Sequence, residues 1–128
     1  MKTKNWKPKT PHKQFHDRMF KLGCIVTGSW PQLHHVVGAS YRQDGVWIGQ
    51  WYMLPLSPEL HMDGWVNVTS NKQEFYKRVG SEKRFFWWLL INYLEEYKEF
   101  PLNTKELIAI YECAEGNLLC SPKELEDQ

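Results

Sequence analysis

The sequence predicts a small α+β domain, with a β-β-α unit in its first half and helices in its second. Three observations carry this expectation. The stretch Leu33-His34-His35-Val36-Val37 reads as an extended segment bearing two adjacent histidines. Ser57-Pro58-Glu59 reads as a helix start just ahead of His61, with Ser as N-cap, Pro at the first helical position and an acid in the first turn. From Ser81 onward the chain carries the long apolar run Phe85-Phe86-Trp87-Trp88-Leu89-Leu90-Ile91, a pattern for a helix that is deeply packed or forms an interface.

Taken in order, residues 1–12 hold two prolines, many lysines and few apolar side chains, and are expected to form a basic flexible arm. A single domain is expected over residues 13–113. Phe15, Met19, Phe20 and Leu22 stand near helical spacing, so residues 13–22 predict a short helix ended by Gly23. Cys24 to Thr27 predicts a strand and Gly28-Ser29-Trp30-Pro31 a turn, with Leu33 to Val37 as the hairpin partner. Residues 38–50 predict a glycine-containing loop without a continuous element, and Trp51 to Leu56 a short extended approach to the helix of His61. Asn71 to Val79 predicts a helix closed by Gly80; Ser81 caps a longer one running to about Phe100, stopped by Pro101. Thr104 to about Cys113 predicts a last helix, and residues 114–128 an acidic tail.

Length and composition bound the function class. A chain of 128 residues with 42% hydrophobic and 24% charged residues is an ordinary soluble domain able to bury a core. Seven Trp, six Tyr and six Phe are an unusual load and predict bulky packing and an aromatic contact surface. No apolar run reaches the roughly 20 residues of a membrane helix, and the basic N-terminus lacks the apolar core of a secretory signal. Three cysteines without framework spacing argue against a disulfide scaffold, so a cytoplasmic setting is expected. The net charge of +1 hides an asymmetry: Lys2, Lys4, Lys7, Lys9, Lys13, Arg18 and Lys21 against Asp17 give residues 1–21 a balance of +6. A basic arm on a mildly acidic body is the pattern of a phosphate-binding arm, with a merely solvated tail as the plain alternative.

The chemistry rests on the histidines. Adjacent side chains on a strand point to opposite faces, so His34 and His35 can hold different roles. A strand imidazole and the helical His61 can share a metal ion while the neighbouring strand imidazole acts as base, the arrangement for metal-assisted hydrolysis. The plain alternative is a pair of hydrogen-bonded side chains. Imidazole donors favour zinc or nickel, whereas a phosphodiester with water ligands suits magnesium or manganese.

Cys24-Ile25-Val26-Thr27-Gly28, then Leu33-His34-His35-Val36, then Leu54-Pro55-Leu56 and His61 resemble the HNH (ββα-metal) nucleases, most of all the phage branch that includes the Ref recombination-enhancement nucleases. Phe75-Tyr76-Lys77-Arg78-Val79-Gly80 before a long apolar helix also fits that branch, and the resemblance spans roughly residues 22–95. It implies a ββα-metal core wrapped by C-terminal helices, phage or prophage origin, a divalent ion (magnesium or manganese first, zinc second), and hydrolysis of DNA phosphodiester bonds with little sequence specificity. Carried over, His34 and His61 are metal ligands and His35 the general base. The polar residue that orients the base stands about nine to eleven positions before His61 in the family pattern, which points to Gln50, with Tyr52 second. Relatives often carry a second helical histidine where this chain has Trp65; Asp63 or water is the expected substitute. Cys24-x-x-Thr27 and Ser57 stand where relatives carry zinc-knuckle sulfurs, so no complete knuckle is expected, and Cys113 and Cys120 lack ligand spacing.

The expected nucleic-acid contacts are Lys4, Lys7, Lys9, Lys13, Arg18 and Arg42; Lys77, Arg78, Lys83 and Arg84 around the helix junction are further phosphate contacts or, for at least half of this basic group, a solvated face paired to acids such as Glu74 and Glu82. Trp47, Trp51 and Tyr52 fit base stacking or, more commonly, a core. His12 and His16 are expected to make hydrogen bonds rather than to act in catalysis. The rival reading is a degenerate scaffold that binds nucleic acid or inhibits a partner, docking a protein or a second copy through the aromatic helix 85–94. A second rival makes the histidines structural zinc ligands, for which a fourth strong ligand is wanting.

Overall fold

The computed structural model describes residues 10–116. The chain is a mixed α+β domain with one two-stranded antiparallel sheet. Helices α1 (Thr10–Leu22), α2 (Ile48–Trp51), α3 (Lys72–Arg78), α4 (Glu82–Tyr97) and α5 (Thr104–Gly116) surround strands β1 (Gln32–His35) and β2 (Met53–Leu56), and a π-type helical turn covers Glu59–Asp63. Among the described residues no helix is long and apolar enough to cross a membrane.

The hairpin differs from the one expected. β1 pairs with β2, placing Gln32 opposite Leu56, Leu33 opposite Pro55, His34 opposite Leu54 and His35 opposite Met53. Residues Cys24 to Thr27 form no strand: Gly23 (φ +87°) and Gly28 (φ +77°) fold them into a tight turn. That turn is closed by Cys24 N–H to the Ser29 carbonyl at 2.9 Å and Gly28 N–H to the Cys24 carbonyl at 2.8 Å. Such left-handed positions curl the chain before a ladder can extend, and one bond survives, from Ile25 N–H to the Pro55 carbonyl at 2.9 Å. The long loop is also more ordered than expected. Asp44 (φ +55°) and Gly45 (φ +78°) make a tight reversal bridged by Gln43 and Val46, and α2 follows.

The apolar pattern explains the packing. Phe15 and Met19 from α1, Leu54 and Leu56 from β2, and Phe86, Leu89, Leu90 and Tyr93 from α4 are buried together. At roughly 1.5–3 kcal/mol for each large side chain taken out of water, this cluster is the main favourable term in folding. α4 begins where expected, with the Ser81 hydroxyl accepting from Arg84 N–H at 3.1 Å. It ends at Tyr97 rather than near Phe100, because Lys98 turns left-handed (φ +60°). Only one face of α4 is packed; Trp88, Ile91 and Leu94 are exposed. At the N-terminal boundary α1 already starts at Thr10, and His12, inside the expected arm, is buried edge-on against Trp47 and Trp51. At the other end α5 runs on to Gly116.

Candidate functional site

The sheet, the π turn and the start of α4 bring three histidines and a buried acid into one region. His35 stands at the end of β1, and its Nδ1 lies 2.8 Å from the Gly49 carbonyl oxygen. A carbonyl oxygen only accepts, so Nδ1 carries a proton, and in the neutral ring Nε2 is the nitrogen with the lone pair. Gly49 reaches this position because it has no side chain: a Cβ there would lie 2.2 Å from the Gly38 oxygen and 2.5 Å from the Ala39 oxygen.

Gln50, expected to orient the base, is buried and turned elsewhere. Its side-chain Nε2 donates to the Ala39 carbonyl at 2.9 Å, and its backbone carbonyl accepts from His16 Nε2 at 2.7 Å. The backbone carbonyl that holds His35 belongs to the residue before it. His16 thus locks α1 to α2, and burial, opposed by the Gln50 hydrogen bond and aided by nearby His35, holds its pKa below the ordinary value. Tyr52, the second candidate, lies in the core with Trp47 and Trp51.

His34 points inward. Its Nε2 lies 2.6 Å from Oε2 of Glu82, a residue with no exposed surface at the first turn of α4. The other carboxylate oxygen of Glu82 accepts from Tyr76 Oη at 2.6 Å and from Lys72 Nζ at 3.1 Å. Neither Glu82 nor Gly49 was singled out as a site residue from the sequence. Glu82 reads there as one more surface acid, and the only usable signal was its position directly after a helix cap, beside a run of core aromatics.

The π turn supplies His61, anchored by His61 N–H to the Ser57 carbonyl at 2.9 Å. The Ser57 hydroxyl accepts from Leu60 N–H at 3.4 Å, so the expected cap operates on a single wide turn. The rings of His34 and His61 meet edge to face with centres 5.2 Å apart. His61 Nδ1 is engaged with the Gln32 side-chain oxygen at 2.8 Å, which leaves Nε2 as donor. Burial first, then His34 and His35, hold the His61 pKa low against the opposing pull of Asp63. A ring kept neutral is the form that binds a metal.

Asp63 is exposed at the end of the π turn. Among the described residues no group of three or more His, Cys, Asp and Glu side chains converges as a metal cage. His34 and His61 are therefore neighbouring imidazoles, and Asp63 does not join them in a three-residue cluster. Trp65 is 68% exposed, with the Arg78 guanidinium 5.4 Å from its ring centre.

His34 and His35 open onto a cleft of about 550 Å³, also lined by Tyr41, Thr69 and Lys72. Of the expected phosphate contacts, Lys4, Lys7 and Lys9 lie outside the described residues, and Lys13 is exposed on α1. Arg18 is engaged within the domain, donating to Tyr93 Oη at 3.1 Å and pairing with Glu99 at 3.2 Å, with its guanidinium 4.6 Å from the Tyr97 ring centre. Arg42 stacks 4.1 Å from the Trp47 ring centre. Arg78 pairs with Glu74, and Lys83 with Glu115. The Cys24 sulfur accepts from Val26 and Thr27 N–H at 3.4 Å each; burial raises its pKa, but hydrogen bonds from Thr27, Val26 and Ser57 bring it below the ordinary value. Cys113 is a buried thiol with its pKa raised by burial, and Cys120 lies outside the described residues.

No family model, curated protein or solved structure matches the chain.

Proposed function

We propose that the protein is a metal-dependent endonuclease that hydrolyses DNA phosphodiester bonds on a ββα-metal scaffold, acting in the cytoplasm, with phage or prophage origin. The observation that carries this is the arrangement of three histidines on the β1–β2–π-turn unit. His34 and His61 stand 5.2 Å apart, and the adjacent His35 has its Nδ1 proton committed to Gly49. That hydrogen bond leaves His35 Nε2 able to take a proton from a water molecule at the cleft, as a general base requires. His34 and His61 would hold the ion. When bound, a divalent ion supplies charge stabilisation at the phosphate and at the departing oxygen. Lys72, also on the cleft wall, is paired with Glu82, so its charge there is already balanced by a buried carboxylate. Backbone contacts by the basic arm account for binding with little sequence preference.

The second reading is a degenerate scaffold that binds nucleic acid or a protein partner. Trp65 in place of a ligand favours it, as do the exposed Trp88, Ile91 and Leu94 of α4.

Incubation of supercoiled plasmid and single-stranded DNA with the protein and magnesium, manganese, zinc or EDTA separates the two. The expected result is nicking that EDTA abolishes and that falls about 10²–10⁴-fold in His35→Ala. Binding without cleavage under every metal supports the degenerate scaffold instead.

A further inference from the structure

Among the described residues Glu82 is a fully buried acid outside the three-histidine unit. It has no exposed surface, it is bound on both carboxylate oxygens, and it comes from a helix outside the β-β-π-turn unit, 48 residues after His34. Tyr76 Oη and Lys72 Nζ both donate to Oε1, at 2.6 and 3.1 Å. His34 Nε2 meets Oε2 at 2.6 Å. With a hydroxyl and an ammonium both donating to Oε1, the geometry is that of a carboxylate, whose Oε2 can only accept from the imidazole.

We infer that Glu82 is a positioning residue for His34, holding its ring with the proton on Nε2 so that Nδ1 is the nitrogen offered to a metal ion. This deepens the nuclease reading and rests on it for the role of the metal. The physical basis is general: a ligating histidine is oriented, and its tautomer chosen, by the group that receives the proton of its other nitrogen. The arrangement also couples two parts of the fold. The N-terminal turn of α4, whose place is set by its apolar face, carries the acid that orders a β1 side chain. His35, one residue on, is held by a backbone carbonyl, so the two neighbouring imidazoles have opposite proton assignments, Nε2–H in His34 and Nδ1–H in His35.

Long-range ¹H–¹⁵N spectra of the metal-free protein at about pH 8.5, roughly two units above the ordinary imidazole value, read both tautomers directly. His34 with its proton on Nε2 is the expected result. His34 protonated on Nδ1, or on both nitrogens, overturns the inference without recourse to any variant. In Glu82→Gln, whose amide can donate to the ring, the Nε2–H form is expected to be lost. Manganese affinity, measured by calorimetry, is expected to fall about 10–100-fold while cooperative unfolding persists. If Glu82→Gln binds manganese and cuts DNA as the parent does, the inference fails and the nuclease reading stands. A parent protein that shows the Nε2–H tautomer but binds no manganese supports the His34–Glu82 pairing and sinks the nuclease reading.

Discussion

His35 Nδ1 and the Gly49 carbonyl oxygen, 2.8 Å apart across 14 residues of chain, fix the proton of the candidate base. The bond depends on Gly49 sitting against the Gly38–Ala39 backbone, where no side chain fits.

Gly49→Ala therefore tests the site through the backbone alone. The new Cβ would lie 2.2 Å from the Gly38 oxygen, so the loop must move and carry the carbonyl away from His35. Destabilisation of about 3 kcal/mol in urea unfolding is expected, at the upper end for overpacking. Nicking should fall further than the loss of folded protein explains. A variant with parental stability and activity would remove Gly49 from the site.

Removing a ligand should separate metal binding from folding. His34→Ala and His61→Ala are each expected to weaken manganese binding at least tenfold, whereas His35→Ala leaves it nearly unchanged and loses cleavage. If His35→Ala weakens manganese binding as much as His61→Ala does, the assignment of base and ligand is reversed.

His16 predicts a pH dependence of stability. Burial lowers its pKa in the folded state below the ordinary 6.5. The unfolded chain therefore binds the proton more readily, and protonation favours unfolding. The stability His16 contributes is complete above about 6.5 and is lost as pH falls toward its lowered folded value. His16→Gln keeps a donor for the Gln50 carbonyl and cannot titrate. Its loss of stability between about pH 7.5 and about pH 5.5 should be smaller than the parent's. Equal losses would place the pH sensitivity elsewhere.

Arg18 and the arm lysines should part company. Arg18→Met loses the bonds to Tyr93 and Glu99 and is expected to lower the melting temperature with little effect on DNA affinity. Lys4, Lys7 and Lys9 changed together to Gln should leave melting unchanged. The slope of log affinity against log salt should become shallower by about 3, near one unit per phosphate contact. The opposite pattern would move the DNA surface from the arm onto α1.

Much of the local structure was legible because it is written in near neighbours. Ser81 capping α4, Ser57 ahead of the turn of His61, and the extended His34-His35 segment each depend on residues within a few positions. The α+β class follows from those elements. The strand partner was not legible. Cys24 to Thr27 has the composition of a strand, yet the two left-handed glycines around it close it into a turn, and β2 takes its place beside β1.

Near-neighbour chemistry supplies the inventory: three imidazoles at β-strand and helix-start positions, a basic N-terminal segment, and an aromatic-rich helix after Ser81. Which of these groups meet is set by long-range packing. Glu82 reaches His34 across 48 residues, Arg18 is drawn to Glu99 across 81, and Gly49 rather than Gln50 presents a carbonyl to His35. The reason is physical. Periodicity and capping act over one or two helical turns, whereas the partner of a buried polar group is chosen by core packing, which brings distant segments together and leaves each buried donor or acceptor to pair with whatever lies within reach.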